Sequence, residues 1–415
     1  MVKCLLSKSN VDLSKTVHQN SSKTTPLPSG GRFQAGQVLV IAGGHLIHDT
    51  FGSFVAPLLP LIIEKLGLSL TLAGSLTVFR RLPSLANPFI RLLADRASLR
   101  WFVVLAPTVT AIAMSSIGLA PTFIGLAILL LVAGVSSAAW HVPAPVMAAQ
   151  ASAGRIGQGM SLFMLGGELA RTLGPLLAVG AVSLWGLEGI WRLAPLGVAA
   201  SLVIHWRLRA LTARPKTARD GSAIETWRVL RRTLLPIIGI TLARSFMTAA
   251  LTTFLPTLLT SEGANLWFAS AALSMLEFAG ALGALLSGTL SDQLGRRQVL
   301  AFVMATSPLM MILFLALRGW PSVVVLVALG FLTFSTAPVI MAIVQEHGRE
   351  HPATANGLYM AAGFLIRSAV VVLIGAAADR WGLRTAFQWS ATLGFLGLPF
   401  VFFLPQSAPD HPGTG

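Results

Sequence analysis

Apolar residues run along this chain in stretches too long and too continuous for one face of a soluble helix. A helix needs about 20 apolar residues to cross a hydrocarbon core. Twelve such stretches can be drawn, at 37–63, 69–93, 99–119, 122–150, 157–184, 189–208, 233–260, 266–290, 298–317, 321–345, 355–378 and 383–404. Gly and Pro recur inside many of them, which membrane helices tolerate because neighbours satisfy the freed backbone groups. The pattern predicts an all-α integral membrane protein of twelve transmembrane helices. The polar remainder divides it into a disordered tail at 1–35, a six-helix bundle at 36–208, a basic linker at 209–232, a second six-helix bundle at 233–404 and a short tail at 405–415.

Composition agrees. Of 415 residues, 54% are hydrophobic and 11% charged, with a mean hydropathy of +0.75, where a soluble domain carries about 25% charged residues. The net charge of +15 reads as topology rather than as a nucleic-acid surface. With the N-terminus in the cytoplasm, most of the Lys and Arg fall on the cytoplasmic side, most densely from Arg207 to Arg232. Such a bias sets orientation, so both termini are expected in the cytoplasm and the protein in a bacterial inner membrane. The sole cysteine, Cys4, excludes a disulfide framework and a Cys-based metal site. No phosphate-binding G-x-x-x-x-G-K-[ST] loop is present, which disfavours a nucleotide-driven pump. No nucleophile or metal constellation suggests an enzyme, and no cofactor is implied.

The two halves repeat at an offset of 196–198 residues. Leu58-Leu59-Pro60 returns as Phe254-Leu255-Pro256, Trp185-Gly186-Leu187 as Trp381-Gly382-Leu383, and Asp95-Arg96 as Asp292-Gln293. Three matches at nearly one offset predict a duplicated six-helix unit, a known transporter plan with the substrate site between the halves.

Ionisable residues inside apolar stretches are expensive and usually face a cavity or a partner. Asp49, Arg80, Arg81, Glu168, Arg171, Arg244, Glu277 and Arg367 all lie within spans, with His45, His48 and His141. His45, His48 and Asp49 stand at i, i+3 and i+4 and share a helix face. That face suits a proton-holding cluster or a polar packing seam, whereas a metal site lacks a further ligand on the same helix. Glu168 and Arg171, at i and i+3, suit an ion pair. The repeat relates His48 to Arg244 and Arg80 to Glu277. Arg80 and Arg81 project about 100° apart, so one is expected in the cavity and the other against Glu168 or a carbonyl. Arg80 is favoured for the cavity. His141 precedes Val-Pro-Ala-Pro, where the prolines free backbone carbonyls, and suits a gating or substrate role. Five Arg against three acids favour an anionic substrate, whose oxygens planar guanidinium groups recognise well.

The loop Gly288-Thr-Leu-Ser-Asp292-Gln-Leu-Gly295-Arg296-Arg297 resembles the G-x-x-x-D-R-x-G-R-R loop of the major facilitator superfamily, and Arg91-Leu-Leu-Ala-Asp95-Arg96-Ala-Ser-Leu-Arg100 is a degenerate first copy. The resemblance implies that Asp95, Arg96, Gly288, Asp292, Gly295, Arg296 and Arg297 form conformational-switch loops. Further segments resemble the fosmidomycin-resistance group within that superfamily: His45-Leu-Ile-His48-Asp49-Thr, Ala139-Trp-His141-Val-Pro143-Ala, and Gly159 through Gly167 with Leu173-Gly174-Pro175. That likeness implies a monomeric secondary transporter in membrane lipid that exports a small anionic, phosphonate-like or drug-like compound in exchange for protons. Asp49, His48, His45, Glu168 and Glu277 then read as proton-coupling residues, and Arg80, Arg171, Arg244, Arg367 and His141 as substrate-binding ones. An importer or exchanger of organic anions is the alternative.

Overall fold

A computed structural model describes residues 33–86, 100–209, 223–348 and 352–405, all helical or in short connections. The first-half loop with Asp95 and Arg96 lies outside the described residues. Within the first half are α1 (Ala35–Gly52), α2 (Val55–Leu66), α3 (Leu70–Arg81), α4 (Arg100–Ser115), α5 (Phe123–His141), α6 (Ala144–Ala151), α7 (Ile156–Gly189) and α8 (Ala194–Arg207). The second half has α9 (Ala223–Ala249), α10 (Leu255–Ser261), α11 (Leu266–Leu294), α12 (Arg296–Ala316), α13 (Trp320–His347), α14 (Pro352–Trp381), α15 (Leu383–Gly394) and α16 (Gly397–Phe402).

Among the described residues, nine stretches are long and apolar enough to cross a membrane. One of them, 156–207, runs to 52 residues and is interrupted at Gly186, whose φ of 71° and ψ of 171° leave the helical region. Large apolar side chains stand exposed on the outside of the bundle, Leu184 and Leu285 at 73% and Trp320 at 75%. A soluble protein rarely presents so much continuous apolar surface.

Prolines set the breaks. Pro57 and Pro60 follow the interruption between α1 and α2, and Pro256 follows a π-helical turn over Ala250–Phe254 that joins α9 to α10. A proline cannot donate to the carbonyl four residues back and crowds it, so Pro256 releases Thr252 and the turn widens. The two breaks occupy equivalent places in the repeat. Helix α9 starts at Ala223, within the stretch expected as linker. Thr226, Leu230, Leu234 and Ile237 bury one side of this extension, while Arg228, Arg231 and Arg232 stay exposed. The amphipathic spacing carries the helix well outside the apolar run.

Close backbone packing fixes α1 against α7. A Cβ at Gly166 would lie 2.4 Å from the Ala42 carbonyl oxygen, and one at Gly174 only 1.7 Å from Ser53 Oγ. The second half repeats the device where Gly283 of α11 meets the Phe331 carbonyl of α13.

The apolar core divides unequally. One cluster is shared by both halves and includes Phe51, Phe54 and Leu76 with Phe254, Leu273 and Val371. A second, around Val38, Trp140 and Met147, belongs to the first half alone. A third, around Ile237, Met304 and Ile340, belongs to the second. The halves are thus joined at one end and packed separately at the other. At the joined end Asp379 of α14 crosses to cap α3, accepting from Leu70 N–H (2.6 Å), Thr71 N–H (2.9 Å) and the Thr71 hydroxyl (2.5 Å). Trp267 of α11 donates to Ser183 Oγ of α7 at 2.8 Å.

Losing a helix cap costs about 1 kcal/mol, or roughly a fivefold change in an equilibrium. Asp379→Ala should therefore raise opening of the joined end about fivefold. The measurement is thiol labelling of Thr257→Cys, a buried position there, in a Cys4→Ser background. An unchanged labelling rate would show that the cross-half cap does not hold this end shut.

Candidate functional site

Helices from both halves enclose a cavity of about 320 Å³ where the shared core ends. Its charged lining is Asp49 from α1, Arg80 and Arg81 from α3, His141 from α5, Arg171 from α7 and Glu277 from α11.

His45, His48, Asp49 and His141 converge. His45 Nε2 lies 3.2 Å and His141 Nε2 3.5 Å from the same oxygen, Asp49 Oδ2, and His48 Nε2 lies 3.9 Å from Oδ1. Each His is held by its helix surroundings. His45 Nδ1 donates to the Phe163 carbonyl at 2.8 Å and its ring stacks on Phe163. His141 ends α5, with Nδ1 donating to the Ser137 carbonyl at 2.9 Å. His48 stacks on Trp140. His141, read from the sequence as a substrate residue, lines the cavity and also meets Asp49. Nothing in the spacing signals that contact, because it joins α1 to α5.

Glu168 and Arg171 pair as their spacing predicts. Arg171 also reaches across to the second half, with Nε 3.3 Å from Glu277 Oε2. Arg80 and Arg81 both line the cavity, contrary to the expectation of one inward and one outward, because their long side chains converge from directions a helix sets apart. Arg80 faces Asp49, its guanidinium seated where a Gly52 Cβ would be, 2.7 Å from Nη2. Arg81 has Arg367, Arg80, Arg171 and the acid Glu277 around it. Neither Arg367 nor Arg244 is among the residues that line the cavity. Arg244 is buried, with an unpartnered Nε.

The structure also revises the register of the repeat around these charges. Thr71 with Asp379 and Trp267 with Ser183 are equivalent contacts at a difference of 196. By that register Glu277 is the mate of Arg81, not of Arg80, and Arg171 is the mate of Arg367. The ion pair Arg171–Glu277 in one interface therefore has a like-charged counterpart, Arg367–Arg81, in the other.

In the second-half loop, Arg296 pairs with Asp292 (2.5 Å) and with Glu346 of α13 (2.8 Å), and donates to Ser291 Oγ and the Gly288 carbonyl. Gly295 adopts φ +94°, a conformation that favours glycine. Arg297 turns away and donates to the Phe402 carbonyl at 2.8 Å. Glu346 was not singled out by the sequence. Its repeat mate is the polar Gln150, the one trace it leaves there.

The sequence model described as Major Facilitator Superfamily matches residues 41–371. The chain belongs to the Major Facilitator Superfamily. It is 24% identical over 377 residues to the fosmidomycin resistance protein of Escherichia coli (strain K12), covering 88% of this chain and 92% of that protein. An uncharacterized MFS-type transporter of Bacillus subtilis (strain 168), YfnC, is 24% identical over 384 residues, covering 89% and 93%. A bacterial homolog of the human lysosomal transporter Spinster, solved in an inward-facing and occupied conformation, superposes with a TM-score of 0.76 at 14% identity over 92% of this chain and 100% of that one. This superfamily member is thus a multi-pass membrane transporter by family, and the solved structure shares its fold.

Two glycines beside Arg80 should separate stability from binding. A Cβ at Gly134 would lie 2.2 Å from the Arg80 carbonyl oxygen, a backbone atom that yields only if α3 moves, whereas the Gly52 neighbour is a flexible guanidinium. Overpacking costs about 1–3 kcal/mol, so Gly134→Ala should lower the Tm of the purified protein measurably and Gly52→Ala should leave it close to wild type. Equal Tm values would contradict this packing at Arg80.

Proposed function

We propose that this major facilitator superfamily chain exports a small anionic compound, phosphonate-like or drug-like, in exchange for protons by alternating access. The observation that carries the anionic substrate is the like-charged pair Arg81 and Arg367 at the place where the other interface holds Arg171 and Glu277. Arg81 stands among Arg367, Arg80 and Arg171 with Glu277 as the acid beside it, so positive charge is in excess there. An anion bound there supplies the missing counter-charge, and bidentate guanidinium contacts suit carboxylate, phosphate or phosphonate oxygens.

The coupling proton is placed on Glu277, with Glu168 as its neighbour across Arg171, rather than on Asp49, which His45 and His141 already engage. Exchange requires the proton-loaded and the anion-loaded forms to alternate, so Glu277 gives up its proton when the anion is taken up and regains one when the anion leaves.

The proposal carries the topology with it. Two six-helix bundles at 36–208 and 233–404 give twelve spans, monomeric in the bacterial inner membrane with both termini cytoplasmic. The separately packed end, which holds Arg100, Arg207 and the basic start of α9, then opens to the cytoplasm. The 24% identity to a fosmidomycin resistance protein favours export as the direction.

Everted vesicles with an acidified interior test the reading. A panel including fosmidomycin and simple phosphonates should release interior protons from vesicles bearing the wild type. Arg81→Gln and Arg367→Gln should each weaken anion affinity at least tenfold, and Arg318→Ala, exposed and remote from the cavity, should not. Glu277→Gln should retain anion binding and lose proton release. Absence of any proton response across the panel, or equal effects at Arg81 and Arg318, would overturn the proposal.

A further inference from the structure

The His–Asp cluster beside the cavity has a geometry that proton coupling at Glu277 does not use. Three atoms with lone pairs, His45 Nε2, His141 Nε2 and an Asp49 carboxylate oxygen, lie within 4.8 Å of one another. Their tautomers follow from their partners. A backbone carbonyl only accepts, so His45 Nδ1 must donate to Phe163 and His141 Nδ1 to Ser137, which leaves Nε2 of each neutral ring as the lone-pair nitrogen. Tying the remote ring nitrogen to a carbonyl is also how proteins orient metal-bound imidazoles.

The spacing fits one ion better than a chain of hydrogen bonds. His45 Nε2 is buried without a hydrogen-bond partner, although Asp49 Oδ2 is only 3.2 Å away. The two atoms are therefore close but not aligned as donor and acceptor. Bonds of about 2.0–2.1 Å at tetrahedral angles place neighbouring ligand atoms roughly 3.3–3.4 Å apart. The two approaches to Asp49 Oδ2, at 3.2 and 3.5 Å, bracket that separation.

From this convergence we infer that His45, Asp49 and His141 bind a divalent transition-metal ion of the Zn²⁺, Co²⁺ or Ni²⁺ type. Two imidazoles and one carboxylate favour such ions over Mg²⁺ or Ca²⁺, which prefer all-oxygen shells. Three protein ligands leave a tetrahedral ion one further position. Asp49 and His141 line the cavity while His45 lies behind them, so that position faces the cavity. His48 stands next to the second carboxylate oxygen. Arg80 and Arg171 are the cations near Asp49, and their long stems allow the guanidinium groups to turn into the cavity as the ion enters. Ion binding is independent of the transport direction and of the substrate, so its failure and that of the export reading are read in separate experiments.

The test uses the full chain purified in detergent through a tag that contains no histidine. Co²⁺ should bind one per chain, its visible absorption changing from the weak octahedral aqueous spectrum to the more intense tetrahedral one, and Zn²⁺ should displace it. His45→Ala and Asp49→Asn should each weaken binding at least a hundredfold. His141→Gln, at the cavity wall and least demanding of the fold, should do the same if the buried variants do not fold. His205→Ala and His347→Ala, away from the cluster, should bind as wild type does. No stoichiometric Co²⁺ binding by the wild type, or undiminished binding by a folded His141→Gln, would overturn the inference.

Discussion

Arg171 holds one positive charge between two carboxylates that belong to different halves of the molecule. Glu168 stands one turn away on its own helix, and Glu277 reaches it from α11. Inside a membrane protein such a charge cannot be left without a partner cheaply. Any motion that separates α7 from α11 leaves Arg171 with Glu168 and parts Glu277 from this arginine, so the Glu277 carboxylate needs another cation or a proton.

The rest of the architecture keeps that charge in register. Gly166 and Gly174 let α1 approach α7 to backbone contact, which sets Asp49 and its histidines on the same cavity wall as Arg171. The shared apolar core closes one end around Phe51, Phe254 and Val371, and the two private cores leave the other end without a common seam. The cavity lies where the shared core ends, lined from both halves. Asp379 on α3 and Trp267 on Ser183 fasten the joined end with polar contacts that water can replace, whereas the apolar seam beneath them cannot be separated without exposing hydrocarbon.

Much of this was legible in the sequence, for identifiable reasons. Long apolar stretches report helices in lipid directly, and the duplicated Leu-Pro and Trp-Gly-Leu segments located equivalent breaks and turns in both halves. Glu168–Arg171 followed from i, i+3 spacing, because neighbours on one helix are fixed by its pitch. Contacts between helices were another matter. His141 on Asp49, Glu277 on Arg171 and Asp379 on Thr71 join residues of different helices, where spacing carries no information. Only the repeat offset reaches across them, and it must be right to one residue. A difference of 197, taken from the loop at Asp95 and Asp292, pairs Arg80 with Glu277. The difference of 196 that holds for the interfaces pairs Arg81 with it and makes Arg367 the mate of Arg171.

That single-residue change bears on how a duplicated protein acquires a polar substrate site. Two equivalent interfaces cross the centre, one between α7 and α11 and one between α3 and α14. Were both to hold an Arg–Glu pair, the cavity would be neutral and self-satisfied, and a charged ligand would have to break a pair to enter. Were both to hold two arginines, mutual repulsion would force the closed end apart. One interface of each kind resolves the conflict. On the proposed function, the Arg171–Glu277 side secures the halves and the Arg81–Arg367 side supplies the positive charge that an anion would neutralise. The asymmetry is small in sequence, an acid in one copy and an arginine in the other, and on that reading it divides the work of one repeated unit between holding and binding.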